Sequence, residues 1–272
     1  MSTPVVRMSP PATFAARAGR ALSPATQARL ITGIAILVVW ELVVRAFAPP
    51  YVAKPTGVIL AIPKVIVDPD FLTATGITLM AVAEGLLIAI VLGAVIGLLI
   101  GRSIVADRML RHYVNAFNAV PMVIVLPLVS LWFGYTGNAR LATIVFAAIF
   151  AIILNVADGA RSVSREYLEV ARSFRSGRAR MLIEVVLPAA TPYFLAGLRL
   201  AAGRALIGAV VAEFFTAIGG LGYYILYTSR TYRHDEAFVG VLLLAAFGLA
   251  FELLVNTGTQ RFLPWYRRDE KA

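Results

Sequence analysis

Apolar residues gather into six long runs separated by shorter polar segments, at 30–47, 76–100, 114–133, 141–157, 191–215 and 237–256. A helix needs about 20 mostly apolar residues to cross a hydrocarbon layer of about 30 Å, so each run predicts a membrane-spanning helix. The fourth run is short, and the third contains Pro121 and Pro127. Proline inside a span is tolerated where neighbouring helices satisfy the freed backbone groups, so a kink is expected there and not a break. Between the first two runs, Pro50, Pro55, Pro63 and Pro69 predict an irregular segment or short helices outside the membrane. Gly219, Gly220 and Gly222 end the fifth run and open a second connecting segment that closes near Glu236. The pattern predicts an all-α, polytopic membrane helix bundle of six transmembrane helices.

Basic residues orient it. Arg7, Arg17, Arg20, Arg29, Arg102, Arg108, Arg111, Arg161, Arg165, Arg172, Arg175, Arg178, Arg180, Arg261, Arg267, Arg268 and Lys271 fall on one side of the six runs. Only Arg45, Lys54, Lys64, Arg140, Arg230 and Arg233 fall on the other, while Arg199 and Arg204 lie within a run. Cytoplasmic loops carry the excess of Lys and Arg, so both termini are expected inside the cell. The division is then a cytoplasmic tail at 1–29, a membrane domain at 30–256 and a cytoplasmic tail at 257–272. Residues 1–29 hold arginine, serine, threonine and proline but no acid, which fits a targeting peptide as well as a disordered tail; the tail is the expectation.

Composition agrees, with 60% hydrophobic and 15% charged residues and a mean hydropathy of +0.81. The net charge of +10 is accounted for by the loops and calls for no nucleic acid. Cysteine is absent, which removes disulfides and thiolate metal sites. No G-x-x-x-x-G-K-[ST] loop is present, so nucleotide hydrolysis is not expected of this chain, nor is a bound cofactor. His112 and His234 fall on opposite sides, against a shared metal site, and Ser130 in the third run has no histidine at its depth.

Residues 169–188 read EVARSFRSGRARMLIEVVLP, four arginines among apolar positions. On a helix, Tyr167, Val170, Ala171 and Phe174 share one face, and Met181, Leu182, Val185 and Val186 form a second stripe. Gly177 suits a left-handed cap between them, and Pro188 discourages further helix. Two short amphipathic helices joined by a basic turn are therefore expected. A surface pair with its arginines on anionic lipid headgroups is the plainer alternative.

The spacing resembles the membrane subunits of ABC importers, whose E-A-A motif continues with three residues, glycine, nine residues, isoleucine, one residue and Leu-Pro. Glu169-Val170-Ala171 stands at E-A-A, Val185 replaces isoleucine, and Leu187-Pro188 completes the pattern; Arg175 stands where the family has glycine. The runs AVPMVIVLPLVSLWFG, LNVADGARSV, LPAATPYFLAGLRLAAGRALIGAVVAEFF and GGLGYYI resemble the branch that imports nitrate, sulfonates and taurine. The resemblance implies a homodimeric permease of a bacterial inner membrane, two cytoplasmic ABC ATPase subunits that bind the ATP, and an external solute-binding protein. It also implies that 161–188, between the fourth and fifth spans, is a coupling segment. Glu169, Val170, Ala171, Arg172, Arg175, Gly177, Arg178, Leu187 and Pro188 are its candidate contacts.

Arg199, Arg204 and Glu213 are candidates for a translocation path, because intramembrane charge commonly faces a cavity. Structural pairing of the arginines with Glu84, Glu213, Glu252 or backbone carbonyls is the competing expectation. An ion-coupled secondary transporter, with Glu84, Glu213 and Glu252 as coupling groups, is the alternative function. Gly93, Gly97 and Gly101 share a helical face and predict close helix packing, within the chain or between two copies.

Overall fold

The computed structural model describes residues 24–49 and 51–262. Among them every regular element is helical. The first, α1 (Pro24–Phe47), forms a unit of its own, with apolar side chains that stay exposed along its length. Its start places 24–29 in helix, whereas a tail was expected; the rest of that tail, 1–23, lies outside the described residues.

The second unit begins with α2 (Pro55–Val65), the short helix allowed for between the proline positions, and continues into α3 (Pro69–Arg102). Asp68 starts α3 by accepting the Asp70 N–H at 2.9 Å, with Pro69 at the first turn where no N–H is needed. Then come α4 (Ile104–Ala119), α5 (Met122–Phe133), α6 (Gly137–Arg161) and α7 (Arg165–Ser173). A single turn, α8 (Arg178–Met181), passes through a π-helical turn (Leu182–Val186) into α9 (Leu187–Thr216). The chain closes with α10 (Leu221–Arg230) and α11 (His234–Phe262), so 257–262 is helical and 263–272, the rest of the expected C-terminal tail, lies outside the described residues.

Among the described residues, five helical stretches are long and apolar enough to cross a membrane, and the pair α4 and α5 makes a sixth crossing only as a bent unit, turned by 103°. The kink expected at Pro121 is therefore a break. Proline forces the preceding residue out of helical backbone, and Val120 is extended at φ −72°, ψ 125°; the helix restarts at Met122. Pro127 is carried inside α5 without a break.

Helix α6 is the centre, with α3 on one flank and α9 on the other. Lipid tails are as apolar as leucine, so association relies on close van der Waals packing, which small residues permit. A Cβ on Gly97 would sit 2.8 Å from the Ile153 carbonyl, and one on Gly93 would press on Ile152 at 3.0 Å. Gly101 lies against Ala157 and Ala160 in the same way. All three glycines thus face α6 of their own chain. Across the other flank, Ala201, Ala205 and Ala209 recur every fourth residue and are fully buried, and Gly197 and Gly208 touch Asn155 and Ala147 of α6.

Candidate functional site

Helix α7 ends in a Schellman motif: the Ser176 N–H reaches the Ala171 carbonyl at 3.1 Å and the Arg175 N–H reaches Arg172 at 2.8 Å. The left-handed residue that this motif requires is Arg175, at φ 54°. Gly177, expected in that role, is extended at φ −65°, ψ 160° and caps α8, with open space where a Cβ would stand. The glycine position of the motif thus keeps its backbone conformation although arginine fills it, at a steric cost of about 1–2 kcal/mol. Arg175→Gly is expected to stabilise the turn by about 1 kcal/mol and to leave partner binding intact, read as a raised Tm with unchanged co-purification of the partner. Lost binding would show that the guanidinium makes its own contact.

The second short helix expected after Gly177 is not separate. From Arg178 to Thr216 the chain is one helical stretch, and Pro188 lies within it. The π turn explains this, because the Leu187 N–H bonds back to the Leu182 carbonyl and the widened turn makes room for the proline ring. No loop therefore separates α8 from α9.

Between α7 and the start of this stretch lies a groove of about 850 Å³. Tyr167, Val170, Ala171 and Phe174 line it from α7, and Met181, Val185 and Pro188 from the other side. Its α7 wall is unpartnered: Phe174 is 81% exposed. The charged residues that line it are Arg180 and Glu184, paired with each other at 2.9 Å; Glu169, Arg172, Arg175 and Arg178 are exposed but do not line it, and Leu187 stands beside Pro188. The floor is fixed by Val163 and Val186, buried with Ala160 in a small core shared by the end of α6 and the π turn. An exposed apolar furrow of this kind is the sort of surface that meets a protein partner or a membrane.

The intramembrane charges do not converge on one site. Arg199 and Arg204 are five residues apart, about 140° around a helix of 3.6 residues per turn. Arg199 pairs with Glu252 and Asn256 of α11. Arg204 donates to Asn118 at the end of α4. Glu213, expected from sequence as a path candidate, is fully buried. It accepts from the Thr78 hydroxyl at 2.8 and 3.0 Å, from the Gly222 N–H at 2.8 Å and from Arg140 at 3.4 Å. Thr78 in turn accepts from the Leu221 N–H at 2.7 Å, and Arg140 donates to the Gly219 carbonyl at 2.9 Å. This cluster ties α3, α6, α9 and α10 together, and sequence reasoning missed it by leaving Arg140 in a loop. The usable signal was an acid and three glycines within ten residues at 213–222, since glycine leaves room for a carboxylate against backbone.

At the end of the bundle that bears the groove, Arg111 binds Asp107 at 2.6 Å and Asp158 at 3.0 Å, and Arg161 also pairs with Asp107. At the opposite end Glu236 receives Lys64 at 2.8 Å and Arg233 at 3.0 Å. Tyr224 packs there, its hydroxyl pushed up to about 12 by burial and by the charges of Glu236 and Asp68.

Residues 85–268 match the family model described as the binding-protein-dependent transport system inner membrane component. The chain belongs to this family. It is a multi-pass inner-membrane permease of the ABC importer class, in the branch that includes nitrate, sulfonate and taurine permeases. The formylaminopyrimidine transport permease protein ThiX of Halalkalibacterium halodurans is 27% identical over 86% of this chain and 94% of its own. The taurine transport system permease protein TauC of Escherichia coli is 28% identical over 85% and 86%, respectively. The nitrate import permease protein NrtB of Leptolyngbya laminosa is 30% identical over 69% and 67%. A solved bacterial ABC transporter involved in import of the acidic polysaccharide alginate has the same fold, with a TM-score of 0.64 at 15% identity over 89% of this permease and 94% of that chain. With the family shown, no observation favours the ion-coupled alternative: Glu213 and Glu252 are both held by arginine.

Proposed function

We propose that this permease is the translocation subunit of an ATP-driven importer of small oxyanion-bearing solutes, with both termini in the cytoplasm. The observation that carries the proposal is the exposed groove lined by Val170 and Ala171 of the E-A-A segment and Pro188 of the Leu-Pro pair, its far wall continuous in helix with α9. An ABC ATPase seated in it, hydrolysing ATP on its own chain, would move α9 as it closes. Such coupling requires that the ATPase bind the two permease states with different free energies. The concentration of arginine at the groove end, with few basic residues at the other, supports the orientation. A solute-binding protein would deliver cargo to the opposite face, around α2 and α10. Two copies of the permease per complex complete the proposed assembly. Taurine and nitrate, named for two relatives, support the oxyanion class.

The test is uptake by vesicles that contain the permease and its ATPase, with the cognate binding protein outside. The anion that co-purifies with that binding protein is expected to accumulate only when ATP is enclosed, whatever the proton or sodium gradient. Accumulation driven by an ion gradient without ATP would overturn the proposal.

A further inference from the structure

We infer that Arg204 and Asn118 form an anion-binding subsite within the membrane, walled by Phe117, Phe146 and Phe150, for a solute that joins an oxyanion group to a short apolar body. The inference deepens the importer reading and rests on it. Arg204 precedes Thr216, the last residue of α9, by a little over three turns, about 18 Å at 1.5 Å per residue, which is mid-membrane depth for a layer of about 30 Å. A charge there is costly unless compensated. Arg199 has Glu252 and Arg140 has Glu213, but among the described residues Arg204 has no acidic partner. Its only hydrogen-bond partner among them is the neutral side-chain oxygen of Asn118.

Beside this pair is a cavity of about 190 Å³, which Arg204, Asn118 and the three phenylalanines line together with Ile207. That is space for about six waters at ~30 Å³ each, so it suits a small solute. A guanidinium carries five N–H donors in a planar fork, and one amide oxygen leaves most of them for sulfonate or nitrate oxygens. The Asn118 amide N–H₂ adds donors of its own. Phe117 stacks on Phe150 at 6.2 Å and 13°, and Phe146 meets Phe150 edge-on at 5.0 Å. This apolar wall limits water, which strengthens the attraction of an anion to Arg204, and it offers contact to a short carbon chain. The break at Val120–Pro121 makes the site: Val120 and Met122 line the same cavity, where a continuous helix would close it. Interrupted spans are where transporters place solutes at the midplane.

Because the sequence has no cysteine, Ile207→Cys, on the cavity rim and 61% exposed before substitution, gives a single reactive thiol. In the permease–ATPase complex without ATP, the anionic reagent sulfonatoethyl methanethiosulfonate is expected to label it at least about tenfold faster than the cationic aminoethyl reagent. The ratio is expected to fall to about one when Arg204→Gln is added, and to persist with Arg204→Lys, since only the charge has been changed in the first. Asn118→Asp, which supplies the missing acid while keeping the guanidinium, is expected to lower it as well, so a poorly folded Arg204→Gln would not shield the proposal. Excess ethanesulfonate is expected to slow labelling only while Arg204 is present. Failure of both reagents to label, or a ratio that neither Arg204→Gln nor Asn118→Asp changes, overturns the subsite. ATP-independent uptake alongside the expected labelling would instead sink the importer reading and leave the subsite standing.

Discussion

Arg140→Met is expected to lower the stability of the membrane bundle by about 3–5 kcal/mol, because it strands the carboxylate of Glu213 in a fully buried site. Glu213 is 0% exposed, and Arg140, itself 13% exposed, is the only cation near it among the described residues. The remaining donors, Thr78 and the Gly222 N–H, are dipoles that hold the carboxylate in place without cancelling its charge. Gly220 and Gly222 lie directly against the carboxylate, which occupies the space their Cβ atoms would take. The measurement is thermal unfolding of the purified protein in detergent, followed by loss of the monodisperse chromatographic peak. The double variant Arg140→Met, Glu213→Gln is expected to recover much of the loss, since a neutral amide can still accept from Thr78 and Gly222. That non-additivity separates charge compensation from simple packing. A single variant that melts like the native chain would show that the carboxylate needs no cation.

The second large effect concerns the groove and leaves stability alone. Ala171→Trp is expected to fill the furrow between α7 and the π turn, and Glu169→Lys to reverse the charge on the exposed outer face of α7. Both positions lie on a surface helix, where substitutions usually change stability by less than about 0.5 kcal/mol. Insertion and yield should therefore match the native permease. Transport coupled to ATP hydrolysis is expected to fall by about 5–150-fold, the range that a coupling free energy of about 1–3 kcal/mol spans. Uptake and ATPase activity measured in the same vesicles read this directly, and native coupling in both variants would remove the groove from the mechanism. The two experiments complement each other, since one breaks the bundle at the end remote from the groove and the other spares the bundle.

Much of this architecture was legible in the chain. Apolar runs separated by charged loops are a direct record of the lipid environment, since each spanning helix must satisfy its own backbone and present apolar side chains. The four-residue recurrence of Gly93, Gly97 and Gly101 marked a packing face, although only the folded chain shows that the partner is α6. Resemblance to the ABC importer motif placed Glu169, Ala171, Leu187 and Pro188 together, and the fold brings Ala171 and Pro188 to the two sides of one groove.

Other features were set by competition that no local pattern records. Pro121 and Pro188 carry the same chemistry, yet one ends a helix and the other rides inside one, because a π turn precedes Pro188 and none precedes Pro121. Arg175 takes a left-handed backbone, although Gly177 stands two residues away, because the hydrogen bonds that end α7 fix the position of that conformation and not the residue type. The sequence by itself determined that the chain is a membrane bundle, which family it resembles and which segment bears the docking motif, since these follow from hydrophobic period and short-range spacing. Which arginine meets an acid and which is left with an amide beside a cavity was decided only by tertiary structure. Glu213 finds its cation 73 residues away and Arg204 finds Asn118 at a separation of 86, contacts that only packing creates.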